Sequence, residues 1–423
     1  MQEQTSSNSL GERVPKLRFP EFEGGWICEK LSDFTERVTR KNTDNETSLS
    51  LTISSKDGLI DQISYFNKVI AGKDMSSYYL LKHGEYTYNR SYSVGYNFGS
   101  IKRLERYSMG ALSTLYICFS LKKHNSDFIK VYFDSLKWYH EIHMIAAEGA
   151  RNHGLLNVST EDFFETEHWF PINIDEQEKI AKFFKLLEYK IKIQQMLLEN
   201  LKLYKRGLLS KLFPQKDENV PQYRFEGFMD AWEQRKFGDC YKVNSGYAFK
   251  LHDYCDSGIA IVNGESIQHG HISNANINYL PESYLEQYDS FSLEFGDIVV
   301  GLNRPITNGE LKIAQIPREF NDSLLYQRAG KITYKVDVDK SFTYTLLSQE
   351  ILKYTQKEAV GSDQPFISTS KLAKWKMMIP ISKKEQERIG GYFSQLDHLI
   401  TLHQRKYDFY EKVKLALLQQ MFV

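Results

Sequence analysis

The chain carries a tandem duplication, and that repeat limits what it can fold into more than any other feature. Residues 15–34 read PKLRFPEFEGGWICEKLSDF and residues 221–240 read PQYRFEGFMDAWEQRKFGDC. Pro15, Arg18, Phe19, Phe22, Trp26, Lys30 and Asp33 recur as Pro221, Arg224, Phe225, Phe228, Trp232, Lys236 and Asp239, always 206 positions on. A second pair, 171–193 and 380–402, matches Pro171, Glu176, Gln177, Glu178, Ile180, Phe184, Leu187 and Ile191 with Pro380, Glu385, Gln386, Glu387, Ile389, Phe393, Leu396 and Ile400 at an offset of 209. The order is therefore A–B–A′–B′. The intervening bodies have nearly equal length but little identity, which suggests one scaffold presenting two different surfaces.

After Pro171 and Pro380 come about 40 residues with no proline and almost no glycine. Ile180, Phe184, Leu187, Ile191, Gln194, Leu198, Leu201, Lys205, Leu208 and Leu212 step by 4, 3, 4, 3, the a/d pattern of a helical seam. Their counterparts are Ile389, Phe393, Leu396, Ile400, His403, Tyr407, Tyr410, Lys414, Leu417 and Met421. Each stretch is expected to be a helix about 58 Å long. The seam favours antiparallel packing of the two helices on each other; packing of each helix on its own body stays open. Acidic residues at 175–176 and 385–387 suit the first turns of helices.

The expected fold class is α+β: two α/β bodies joined by two long helices in a pseudo-twofold repeat. The expected boundaries are a flexible tail at 1–14, a first body at 15–170, a helical spacer at 171–213, a linker at 214–220, a second body at 221–379 and a second spacer at 380–423. Both bodies are rich in β-branched and aromatic residues broken by Gly, Asn and Asp turns. Each carries a related element. Gly84-Glu85 leads into a strand closed by Asn89-Arg90, and Gly296-Asp297 leads into one followed by Asn303-Arg304.

Residues 85–107 interleave tyrosines with basic side chains, and Arg and Asn can make bidentate contacts to guanine and adenine. Candidate DNA contacts in the first body are Asn89, Arg90, Ser91, Tyr92, Tyr96, Lys102 and Arg103. In the second they are Gln268, His269, His271, Asn303, Arg304 and Asn308. Half-buried sheet is the competing reading of the tyrosines. Overall charge is balanced, 54 basic against 54 acidic residues. The helical stretches are the basic part: 175–213 holds 9 basic and 5 acidic residues, and 382–422 holds 7 and 5. That excess suits either a phosphate backbone or an ordinary solvated lysine face.

Several chemistries are not encoded. No phosphate-cradling G-x-x-x-x-G-K-[ST] loop and no G-x-G-x-x-G is present. The Asn-Pro-Pro-aromatic loop of adenine methyltransferases is also missing, since the chain has no Pro-Pro. His140 and His143 lie one helical turn apart without a third ligand, so no metal site is expected. Asp175-Glu176-Gln177-Glu178-Lys179 has a nuclease-like look, but its place in the duplicated helix start favours capping. Four scattered cysteines, no apolar run of membrane-spanning length and no leader-like opening point to the cytoplasm.

Two diverged bodies alternating with two near-identical helical stretches, P-I-x-x-x-E-Q-E-[KR]-I at both helix starts, and P-x-x-R-F-x-x-F-x-x-x-W ahead of both bodies resemble the specificity subunit of type I restriction–modification enzymes. Ser159-Thr160 and Ser368-Thr369 fit the same pattern; Tyr at 86–88 departs from it. The resemblance implies a non-catalytic, cytoplasmic, DNA-binding subunit whose target recognition domains each read one half of a split double-stranded site. It also implies two docked methyltransferase subunits and a restriction–translocase subunit, with S-adenosylmethionine, ATP and Mg held by those partners and no cofactor on this chain. The alternative is a coiled-coil adaptor whose bodies bind proteins or other ligands.

Overall fold

The computed structural model describes residues 13–68, 74–146, 156–358 and 365–423. Most of the expected tail thus lies outside the described residues. Arg13 does not behave as tail: it bridges Trp26, and its guanidinium sits 4.6 Å over the Trp169 ring. Two compact units form. One holds the chain through Gln195 together with Lys406–Val423; the other is Met196–Arg405. Each unit thus contains one body, the start of one long helix or its equivalent, and the end of the other.

In the first unit a four-stranded antiparallel sheet runs in the order Thr35–Arg37, Ile117–Leu121, Tyr86–Asn89, Ser100–Arg103. The helix Ser126–Asp134 covers it with Phe128, Ile129, Tyr132 and Phe133. Tyr86 and Tyr88 are core residues: Tyr86 stacks on Phe119 and Tyr88 on Phe163, while their hydroxyls donate to the Ser126 and Phe98 carbonyls. Burying aromatic area while satisfying the hydroxyl explains why tyrosine is tolerated on a central strand.

In the second unit one four-stranded sheet runs Tyr241–Ser245, Ala329–Tyr334, Ile298–Gly301, Ile313–Gln315. A second runs Tyr279–Leu280, Ile259–Val262, Ser323–Leu325, Ser292–Leu293 and contains one parallel pair. The covering helix is Lys340–Glu358. Its composition argues against a helix, because Thr343, Thr345 and Thr355 are β-branched. Each threonine hydroxyl donates to a carbonyl one turn back, at 2.8, 3.0 and 2.7 Å, so the buried polar groups are satisfied by the helix and the residue that precedes it.

Several contacts of the repeat recur in both units. Ile27–Lys30 pairs antiparallel with Glu167–Phe170, and Glu233–Lys236 with Lys376–Ile379, closing each body just before its long helix. Gly84 and Gly296 turn at φ +87° and +86°, where a side chain would be strained. The following Glu85 and Asp297 accept from the Lys82 and Glu294 amides. Beyond the strand, however, the Arg90 carbonyl takes the Leu156 amide and the Leu302 carbonyl takes the Ile367 amide. Arg90 therefore matches Leu302, and Asn303-Arg304 lie further out than the sequence pairing of the two Asn-Arg steps suggested.

Both long helices, Ile174–Leu212 and Lys383–Gln420, are anchored the same way. Glu176 and Glu385 are 0% and 1% exposed, and each accepts a two-pronged bond from an arginine, Arg18 at 2.7 and 2.7 Å and Arg224 at 2.7 and 2.8 Å. These acids serve buried ion pairs instead of the caps their position suggested. The adjoining Gln177 donates to the Pro171 carbonyl and accepts from the Asn125 amide. Gln386 donates to Pro380 and accepts from Asp339. Asn125 and Asp339 in turn cap the covering helices, accepting from Phe128 and Phe342.

Within each unit the helix segments run antiparallel. In the first, Phe184 meets Phe422 and Lys414 pairs with Glu188 at 2.8 Å. In the second, Phe213 meets Phe393 and Lys205 pairs with Asp397 at 2.5 Å. These ion pairs are the same contact twice, since Lys205/Lys414 and Glu188/Asp397 are repeat-equivalent positions. Of the seam residues, Ile180, Phe184, Ile191, Leu198, Ile389, Phe393 and Leu396 are buried; Leu187, Leu201, Ile400, Tyr407 and Tyr410 are half-buried. Gln194 is buried and His403 half-buried.

His168 is a buried neutral imidazole in the first core. Thr166 Oγ1 donates to the Phe163 carbonyl, so it accepts from His168 Nε2–H at 2.9 Å, which leaves Nδ1 to accept from the Tyr132 hydroxyl at 2.8 Å. Burial pushes its pKa down to about 3. The unfolded chain then takes up a proton near pH 6.5 that the folded chain refuses, so stability falls as pH drops below about 6.5, by at most about 1.4 kcal/mol per pH unit. Thermal melts between pH 7 and 4 should show a steep acid limb that His168→Gln flattens; equal limbs would disprove the assignment.

Candidate nucleic-acid interface

In the first unit the candidates divide into a loop and a braced strand. After Asn89 the chain leaves the sheet. The Asn89 carboxamide oxygen accepts from the Ser91 amide, and Ser93 and Tyr96 close a small turn through Gly95 at φ +82°. Ser55 holds this turn down, with its hydroxyl 2.9 Å from Ser93 and 3.0 Å from Ser100. Tyr92 and Val94 project outward at 58% and 90% exposure. Arg90 instead donates to the Val158 and Leu115 carbonyls, both at 2.9 Å.

Lys102 and Arg103 are engaged too. Lys102 pairs with Asp134 at 2.6 Å and lies 5.6 Å from the Tyr96 ring. Arg103 bonds Asp127 and Glu105 at 2.6 Å and the Ser126 hydroxyl at 2.8 Å. Burial on its own would lower both pKa values; nearby carboxylates outweigh it and raise both, Asp134 for Lys102 and Glu105 with Asp127 for Arg103. In this structure Arg90, Lys102 and Arg103 brace the loop, and Ser91, Tyr92 and Tyr96 are the candidates that form its accessible part.

In the second unit the candidates form one neighbourhood. A tight turn carries Gln268, His269 and His271, closed by the Gln268 amide donating to the His271 carbonyl, with Gly270 at φ +78°. It rests on the adjoining hairpin and on the sheet strand that follows it: His269 Nδ1–H donates to Leu311 O at 3.2 Å and the Gly270 amide to Ile313 O at 2.9 Å. That hairpin joins Ile306–Thr307 to Glu310–Leu311 through Asn308 and Gly309, both left-handed at φ +53° and +80°. Asn-Gly suits a two-residue turn that requires positive φ at both positions. Asn303 bridges Phe366, and the Arg304 amide donates to the Pro365 carbonyl, leaving an exposed guanidinium at the base of the hairpin.

No group of three metal-ligating side chains occurs among the described residues. The His140 side chain is exposed, while His143 packs edge-on against Phe98. Among the described residues no helix is long and apolar enough to cross a membrane. Sequence reasoning missed the Arg18–Glu176–Gln177 and Arg224–Glu385–Gln386 anchors as a unit. The available signal was that these polar residues recur in both repeats while most of the intervening sequence does not.

Comparison with known proteins bears on this geometry. Residues 229–409 match the type I restriction modification DNA specificity domain. The type I restriction enzyme MjaVIII specificity subunit of Methanocaldococcus jannaschii is 30% identical over 246 residues, 57% of this chain and 58% of that protein. The EcoAI specificity subunit of Escherichia coli is 30% identical over 214 residues, 49% of this chain and 35% of that protein. The match thus spans between about a third and three-fifths of these relatives. The fold is similar to the crystal structure of the type I restriction–modification S subunit from M. genitalium, with a TM-score of 0.62 at 16% identity over 97% of this chain and 99% of that one. It is also similar to a chain solved in work on complex assembly and conformational transition of the type I R-M system, with a TM-score of 0.52 at 15% identity over 95% and 98% of the two chains.

Bracing and accessible residues should separate in experiment. Arg103→Ala is expected to cost about 1 kcal/mol of stability, because the packed guanidinium stem and its ion pairs are lost while Asp127 and Glu105 stay partly solvated and keep Lys185 and Lys130 nearby. Tyr92→Ala and Arg304→Ala are expected to stay within about 0.5 kcal/mol. Denaturant melts of the three variants measure the difference.

Proposed function

We propose that the chain, whose residues 229–409 match the type I restriction modification DNA specificity domain, is a specificity subunit in which each body reads one half of a bipartite, asymmetric DNA site. The two long helices form an antiparallel strut that sets the gap and docks two methyltransferase subunits. The chain itself is non-catalytic. S-adenosylmethionine for adenine methylation belongs to the methyltransferase subunits, and ATP and Mg to a restriction–translocase subunit. Bases in the first half-site are met from the loop bearing Ser91, Tyr92 and Tyr96. Those in the second are met from the turn and hairpin bearing Gln268, His269, His271, Asn303, Arg304 and Asn308.

One observation carries this reading: the anchors and closing strand pairs of the two bodies agree, whereas the loops set on them differ in length, turn type and chemistry. A shared frame with unlike loops suits a protein that must read two different sequences at a fixed separation. Reading two half-sites from one side of B-DNA requires readers about 34–36 Å apart, or a multiple of that. A helix of about 58 Å is long enough to span such a distance. The balanced net charge fits a subunit that shares phosphate contacts with its partners.

Mapping of methylated adenines in cells with and without the chain tests the reading. Exchange of residues 221–375 for another such body should change one half-site and leave the other and the gap intact. Deletion of one heptad from each helix, 195–201 with 404–410, should shorten the gap by about 10 Å, or about three base pairs, with both half-sites unchanged. Altered half-sites at an unaltered gap would refute the strut.

A further inference from the structure

We infer that Gln177 and Gln386 are positioning residues that fix the angle between each body and its long helix, and through it the gap length the protein accepts. The inference rests on the reading of the chain as a bipartite specificity subunit. It concerns a property that half-site contacts do not determine.

The argument starts from a planar amide in a buried place. Gln177 is 1% and Gln386 4% exposed. Gln177 Nε2 donates to the Pro171 carbonyl and to His124 Nδ1, both at 3.0 Å, while Oε1 accepts from the Asn125 amide at 3.0 Å. Gln386 Nε2 donates to the Pro380 carbonyl at 2.9 Å, and Oε1 accepts from the Asp339 amide at 3.0 Å. Each glutamine therefore ties three things together: its own position in the first turns of the long helix, the peptide that leads into that helix, and the residue capping the body's covering helix. Beside it, Arg18–Glu176 or Arg224–Glu385 ties the same turn to the segment that enters the body, where the arginine also holds the Gly24 or Asp230 carbonyl. Hydrogen bonds to a rigid amide from two or three directions restrict rotation as well as distance, which apolar packing alone does not do.

Leverage makes this angle matter. A tilt of about 6° carried across about 30 Å, the diameter of a small domain, moves the far side by about 3 Å. That is close to the 3.4 Å rise of one base pair. Loosening the joint should therefore admit neighbouring gap lengths before it disturbs which bases are read. The second joint lacks the histidine of the first, because Val338 precedes Asp339 where His124 precedes Asn125.

The test uses the assembled methyltransferase carrying Gln177→Met or Gln386→Met, with Arg224→Lys as a second variant that keeps the charge but loses the two-pronged geometry. Methylated adenines are mapped across a genome, and thermal melts of the assemblies are recorded. The expected result is the same two half-sites at the native gap, together with at least a tenfold rise in methylation at gaps one base pair longer or shorter. Folded variants that keep the native gap alone, or variants that change the half-site bases, overturn the inference. If a glutamine variant does not fold, Arg224→Lys decides between the same outcomes. Wild-type assemblies that methylate no bipartite site would overturn the underlying reading instead.

Discussion

The structure depends on a buried carboxylate, used twice. Glu176 and Glu385 are taken out of water at the start of the long helices, and only a two-pronged arginine makes that tolerable. Removing one partner of such a pair leaves an uncompensated charge, at a cost of about 3–5 kcal/mol. The pair also has geometric content, because a guanidinium and a carboxylate meet along two parallel bonds in one plane. With the neighbouring glutamine, it turns the junction of a globular body and a long helix into a fixed corner. Everything a body presents to a ligand is aimed from that corner.

The division of labour inside each body follows from the same economy of polar groups. Charged residues near the first candidate loop brace it: Arg90 secures two carbonyls, and Lys102 and Arg103 tie a strand to the covering helix. The candidates left accessible on that loop, Ser91, Tyr92 and Tyr96, are small or aromatic and sit at a turn whose backbone is closed by its own hydrogen bonds. A rigid turn loses little conformational freedom on binding, so its contacts are not offset by the cost of ordering it. In the second body the turn at 268–271 and the hairpin at 306–311 support each other through His269 and Gly270, which gives a broader platform than the single loop of the first.

How much of this was readable in the sequence varies with the range of the interaction. The helices were legible because a 4, 3, 4, 3 ladder of apolar residues is a local signal, and burial follows it from Ile180 to Leu212. The duplication was legible because matched positions keep a constant offset. The arginine–glutamate anchors were not assigned, since Arg18 and Glu176 lie 158 residues apart and Arg224 and Glu385 161, and no local pattern joins them. The helix Lys340–Glu358 escaped notice because three threonines disguise it, and their polarity is absorbed only once the helix exists. The roles of Lys102 and Arg103 were hidden for a related reason. Their partners Asp134 and Asp127 belong to the covering helix, whose placement the sequence does not announce.

That internal neutralisation affects how the first body meets a polyanion. A count of its lysines and arginines overstates its positive surface, because Lys102 and Arg103 are already matched by carboxylates. Each true phosphate contact adds about 0.9 to the logarithmic salt slope on duplex DNA. Under the proposed DNA-reading role, a body arranged in this way attracts DNA weakly at long range and discriminates at contact, so capture then depends on positive charge elsewhere in the proposed assembly.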